Sequence, residues 1–202
     1  MNQKGELGQN NTVSQSSPIQ IPGTTWNSIA AVYQTSAATK TDGTLWMMGM
    51  NSNGQLGDGS TTRRSSPTQI PGTTWASATI FGGAYCSAAT KTDGTLWTWG
   101  ANAHGILGQS DSSGTEYSSP TQVPGTTWGT NLKNKVTSGG EFALWIKTDG
   151  TLWGWGPNTE GQLGLGNKTK YSSPVQVPGT TWKSITSAQL QTAATKTDGT
   201  LW

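Results

Sequence analysis

The chain has 202 residues, 31% of them hydrophobic and only 11% charged, with a formal net charge of +2 and a pI near 8.7. That allows one modest core, excludes disorder driven by charge repulsion, and gives no basic stripe for nucleic acid, because Arg63 and Arg64 are the only adjacent basic pair. A single cysteine, Cys86, and a single histidine, His104, exclude an internal disulfide and leave no ligand set for zinc, while no apolar run approaches the ~18 residues of a membrane helix.

The first residues, Met1 to Gly8, match Met50 to Gly57, so the chain opens partway through a repeated unit, and this opening lacks the apolar core of a secretory signal. Four words then recur in fixed order. GxLG begins at Gly5, Gly54, Gly105 and Gly161; SSP ends at Pro18, Pro67, Pro120 and Pro174; PGTTW begins at Pro22, Pro71, Pro124 and Pro178. The fourth word, KTDGTLW, begins at Lys40, Lys91, Lys147 and Lys196. Successive hairpin aspartates, Asp42, Asp93, Asp149 and Asp198, lie 51, 56 and 49 residues apart, a period that suits propeller blades better than helical repeats.

The expected fold is therefore all-β: one repeat domain over residues 1–202, a β-propeller of four blades, each a four-stranded antiparallel sheet. The first unit is split between the two termini, and the tail ending at Trp202 supplies the missing half apart from the counterparts of Met47 to Gly49. Pairing of N- and C-terminal strands, within one chain or between chains, would complete it. A four-bladed ring, an eight-bladed ring shared by two chains and a filament all fit that pattern.

Within a unit, SAATKT and TLWTWG read as two strands around a turn. Asp-Gly predicts a two-residue type I′ turn at Asp42–Gly43, Asp93–Gly94, Asp149–Gly150 and Asp198–Gly199, so these aspartates need no catalytic or metal role. On the returning strand, residues two apart share a face, which pairs Trp97 with Trp99, Trp153 with Trp155, and Trp46 with Met48. With Trp26, Trp75, Trp128 and Trp182 of PGTTW they read as packing between blades, the alternative being an exposed ladder for a glycan. The four hairpin lysines, Lys40, Lys91, Lys147 and Lys196, read as a positive row on an exposed edge, or a lure for an acidic partner.

Two segments vary in length between copies, and both are longest in the third unit. One runs from Gly108 to Ser118 with Asp111, Glu116 and Tyr117; the other, from Trp128 to Asp149, carries Lys133, Lys135, Phe142 and Trp145. Insertions in repeat proteins map to loops, which makes these residues the candidate binding site, against a reading of neutral drift. No cofactor or metal is expected: His104 reads as an exposed loop residue, and neither the Asp58 word nor the Asp111 loop has the alternating acids of a calcium loop.

The stretches Thr92 to Gln109 and Thr148 to Gly166 resemble the repeat of the regulator of chromosome condensation family, with its DG hairpin, its WG, an Asn and then GQLG. That resemblance covers essentially the whole chain and implies β-propeller blades; the founding member's ring has seven. A kelch propeller, suggested by Gly82 and Gly83, leaves the GQLG word unexplained. The founder's nucleotide-exchange residues lie outside the repeat words and map onto nothing here, so fold carries over and exchange activity does not. The resulting expectation is a non-enzymatic structural or binding protein that builds or decorates an extracellular or virion assembly, partnered by copies of itself or by other chains. The alternatives are a cytoplasmic regulator of a small GTPase or of chromatin, and a glycan-binding lectin.

Overall fold

The computed structural model describes residues 1–32, 34–81, 85–111, 113–130, 135–138 and 140–202. Its fourteen strands follow the repeat. The first sheet contains β1 (Trp26–Val32), β2 (Thr35–Lys40), β3 (Leu45–Gly49) and β4 (Arg64–Ile70). The second contains β5 (Trp75–Phe81), β6 (Cys86–Lys91), β7 (Leu96–Gly100) and β8 (Tyr117–Gln122). The third contains β9 (Val136–Ser138), β10 (Ala143–Ile146), β11 (Leu152–Gly156) and β12 (Tyr171–Val177). Within each sheet the strands neighbour one another in sequence order and pair antiparallel, the meander expected of a propeller blade.

The fourth sheet has two strands, β13 (Trp182–Ser187) and β14 (Thr192–Lys196), with Leu201 adding a single bridge to Thr195. The SSPIQI segment, residues 16–21, forms no strand, whereas its counterparts become β4, β8 and β12. In each of those blades it pairs with the strand that begins at the LW of the hairpin word: Trp46 lies opposite Gln69, Trp97 opposite Gln122, and Trp153 opposite Gln176. The pairing of N- and C-terminal strands is therefore not formed in this structure.

The hairpin turn differs from the one expected. Gly43 N–H donates to Lys40 O and Lys40 N–H to Thr44 O, so the loop is a type I turn followed by a glycine in a G1 bulge. Of Asp42 and Gly43 only Gly43 has positive φ, +78°, which spares aspartate the left-handed region. Asp42 Oδ1 instead accepts from Thr44 N–H and Thr44 Oγ1–H, and Thr44 Oγ1 accepts from the Trp46 indole. The same Asp–Thr–Trp chain stands at Asp93, Asp149 and Asp198.

The core lies between blades. Trp99, Trp128, Trp145 and Trp155 are fully buried, with Leu45, Leu96, Leu107 and Phe142. One cluster joins the first two sheets through Leu45, Leu56, Trp75 and Trp99; a second joins the next two through Leu96, Leu107, Trp145 and Trp155. Truncation of one such indole costs ~3–5 kcal/mol, so these tryptophans dominate cohesion along the array.

Candidate functional site

Each seam between blades is built from the same parts, and the GxLG loop is the first. Asn2, Asn51, Asn102 and Asn158, three residues before its glycine, are fully buried. Each accepts through Oδ1 from the loop leucine N–H (Leu7, Leu56, Leu107, Leu163) and donates through Nδ2 to a backbone carbonyl nine residues on. Such a buried amide is tolerable only because both ends are satisfied, and it fixes the loop for its neighbour. Sequence reading gave these asparagines no role, although their constant place before GxLG was the visible signal.

The shaped loop then docks on the next blade. Gln55 O accepts from the Trp99 indole at 3.0 Å and from Ser87 Oγ at 2.7 Å, and Ile106 O accepts from the Trp155 indole at 2.6 Å. Asn10, Gly59 and Ser110 donate N–H to Ser65, Ser118 and Ser172 at 2.7–2.8 Å. The glycine has a steric reason: a Cβ on Gly54 would stand 2.7 Å from Ser118 Cα, with Gly105 placed alike against Ser172. Near the other end of the seam, Trp75, Trp128 and Trp182 donate backbone N–H to Gly43, Gly94 and Gly150 at 2.9–3.0 Å.

The hairpin lysines are not a free row of charge. Lys40, Lys91, Lys147 and Lys196 each place Nζ over two indoles at 4.2–4.9 Å: Trp26 and Trp46, Trp75 and Trp97, Trp128 and Trp153, Trp182 and Trp202. These cation–π sandwiches staple the PGTTW tryptophan to the hairpin, and burial lowers the Lys147 pKa. The ladder reading of the tryptophans fares no better. Among the described residues Trp202 alone is an exposed indole, and the PGTTW tryptophans sit edge-on to their partners at 6.1–6.3 Å.

The candidate binding residues do not converge on one site. Phe142 and Trp145 are buried in the core, because the extra length of their segment falls before β9 and leaves them in or beside β10; they are corrected from loop contacts to packing residues. Lys135 is half-buried and donates to Lys183 O at 2.6 Å. Lys133 lies outside the described residues, as do Gly82 and Gly83. Asp111 caps its own turn by accepting from Ser113 N–H and accepts from the Tyr117 hydroxyl at 3.3 Å, whereas in the next unit Asn167 Nδ2 donates to the Tyr171 hydroxyl. Burial and the Asp111 charge raise the Tyr117 pKa. Glu116 accepts from Asn53 Nδ2 of the preceding loop at 2.6 Å.

Asp58 is similarly occupied. Burial pushes its carboxyl up, but hydrogen bonds from Ser60 and Arg64, the latter at 2.7 Å, outweigh this and hold it below the usual value. No group of three or more His, Cys, Asp or Glu side chains able to hold a metal occurs among the described residues. His104 is half-exposed and lies 3.5 Å from Glu141. Cys86 is buried, donates to Ala101 O and has its thiol pushed up to about 12 by burial.

Several depressions lie along the blades, among them these two. A cleft of about 440 Å³ lies between the second and third blades, lined by Tyr85, Ile106, Phe142 and Leu190 among others. A larger groove of about 610 Å³ runs along the open side of the third and fourth sheets, walled by Leu144, Leu152, Leu163, Val177, Trp182 and Ala194. At the equivalent place in the preceding seams lie the buried Trp99 and Trp155.

Tandem four-stranded meanders joined by such seams define a β-propeller. The chain belongs to the Regulator of chromosome condensation (RCC1) repeat family, whose repeat matches residues 42–90, 93–144 and 149–194, with a further match at 26–55. It is 37% identical over 92 residues to human Probable E3 ubiquitin-protein ligase HERC3, covering 44% of this chain and 8% of that protein. Ultraviolet-B receptor UVR8 of Arabidopsis thaliana is 36% identical over 99 residues, 49% of this chain and 21% of that one. The mitochondrial RCC1 domain-containing protein RUG3 of Arabidopsis thaliana is 32% identical over 124 residues, 60% and 27%. The match thus spans about a quarter or less of these relatives.

Among solved structures, human WBSCR16 superposes on 100% of this chain with 54% of its own (TM-score 0.76, 22% identity). Prp20p of Saccharomyces cerevisiae, described with its binding to Gsp1p and histones, does so on 87% of this chain with 43% of its own (TM-score 0.67, 23% identity).

Proposed function

We propose that this chain is a non-enzymatic propeller array that binds other protein chains, building or decorating a larger assembly. One observation carries this reading. The repeated tryptophans, lysines and asparagines are spent on holding hairpin, loop and blade together, the architecture of a rigid scaffold for protein contacts. Sparse charge and near-identical, Ser- and Thr-rich copies support an extracellular or virion setting. Sedimentation of the protein from its native source tests it: co-migration with a large particle supports the reading, and a free 21.2 kDa chain rejects it.

A second reading is a cytoplasmic regulator of a small GTPase or of chromatin, favoured by family membership and by the binding of Prp20p to Gsp1p and histones. Nucleotide release from GTPases of the same source separates the two. Acceleration supports the regulator, and no effect across the panel removes it.

A further inference from the structure

One seam departs from the others in charge. Each hairpin word carries one lysine and one aspartate, Lys40 with Asp42 and Lys91 with Asp93 in the first two units, so the charges of the repeat cancel. Two further lysines join this edge between the third and fourth blades. By register Lys135 takes the place of Ser28 and Ser77, because its carbonyl meets Ile146 N–H where those serines lie opposite Thr39 and Thr90. Lys183, at the bulge between Trp182 and Ser184, takes the place of Asn27 and Ala76. Neither position is charged in the first two units, in a chain with only 11% charged residues.

With Lys147, these lysines line a cleft of about 530 Å³ between the two blades, whose apolar walls come from Trp128, Ile146 and Trp182. Both walls belong to one internal seam. A shortened strand gives the cleft its room: β1, β5 and β13 begin at the PGTTW tryptophan, whereas β9 begins only at Val136. The rung that sets Trp26 opposite Lys40 and Trp75 opposite Lys91 therefore has no counterpart at Lys147 among the described residues.

The amines in this cleft lack counter-ions. Lys135 Nζ donates to Lys183 O at 2.6 Å and Lys147 Nζ stands over Trp128 and Trp153, but among the described residues no carboxylate pairs with any of the three lysines. Asp149, the one acid among the described lining residues, is turned to its own loop, where it accepts from Thr151 N–H and Thr151 Oγ1–H. Burial has already stripped water from the Lys147 ammonium, and an incoming carboxylate would replace it.

Unpaired amines over apolar walls select an anion that brings apolar surface with it. We infer that this cleft docks an acidic segment of a partner protein, its carboxylates on Lys135, Lys147 and Lys183 and an apolar neighbour against the indole wall. Three lysines less one aspartate leave a local charge of +2, too little for a nucleic acid, whose binding draws on ~6–10 phosphate contacts. This rests on the reading of the chain as a protein-binding array and names the chemistry of one contact.

Fluorescence anisotropy of a labelled peptide of repeated Glu-Leu-Glu-Gly units, titrated with the full chain, tests it. The neutral Gln-Leu-Gln-Gly match, a heparin oligosaccharide and single-stranded DNA are titrated beside it. The acidic peptide is expected to bind about tenfold tighter than its neutral match, and the Lys135→Gln, Lys183→Gln double variant to lose about tenfold. Lys168→Gln, Lys170→Gln removes the same charge from an exposed stretch elsewhere and stays within about twofold of the wild type. Equal binding of the two peptides, or equal losses in both double variants, overturns the site. Tighter binding of heparin or DNA through the same lysines overturns the peptide as its ligand. Lys183→Gln alone covers the case in which the double variant fails to fold, since this side chain is exposed; a loss of about threefold is expected, and unchanged binding overturns the proposal. A chain that sediments freely yet binds the peptide rejects the assembly reading alone, and a particle-bound chain that ignores the peptide rejects the cleft alone.

Discussion

Replacing Asn51 with alanine tests whether the buried asparagine, rather than the glycines around it, holds the GxLG loop in shape. Asn51 Oδ1 accepts from Leu56 N–H at 2.9 Å, and Nδ2 reaches Ser60 O at 2.9 Å, Thr62 O at 3.0 Å and Asp58 Oδ1 at 3.1 Å. An amide has two N–H groups, so about three bonds are lost at roughly 1 kcal/mol net each. The buried Leu56 N–H, left without a partner, adds about 1–3 kcal/mol. The expected loss is therefore about 4–6 kcal/mol, read by urea denaturation as a lower midpoint at unchanged slope. Asn53→Ala is the control: two residues away, its side chain makes an exposed bond to Glu116, and removal costs under ~1 kcal/mol. Equal, small losses at both positions would refute the reasoning and return the loop to its glycines.

Acid lowers stability through the hairpins. Hydrogen bonds from Thr44 and its counterparts, and secondarily the nearby lysines, hold Asp42, Asp93, Asp149 and Asp198 below their ordinary pKa. The stability they add is therefore present above the unfolded value near 4 and is lost as pH falls through the lower folded values; the urea midpoint followed from pH 7 to pH 2 drops across that window, and less so once the four are asparagine. Thr74 has φ +65°, a cost of ~1–2 kcal/mol that Thr74→Gly removes, offset by ~0.5–1 kcal/mol of added unfolded-state entropy, so this change leaves the melting temperature level or raised. With its pKa pushed to about 12, the Cys86 thiol resists Ellman's reagent at pH 8 in the folded protein and reacts once urea exposes it.

The words of the sequence carried the architecture, because each names a junction: a turn glycine, a strand entry or a blade-facing indole. What they did not carry was register. Lys40 lies opposite Trp26 across β1 and β2, a relation that no linear spacing displays, so the lysines read as surface charge when they are clamped between rings. Phe142 and Trp145 failed differently. Their segment varies in length, and length variation by itself points to a loop, although the extra residues precede β9 and the tail of the segment is core strand. The Asp-Gly turns were correctly placed and given the wrong geometry, since a composition signal cannot tell a two-residue loop from a type I turn with a bulge.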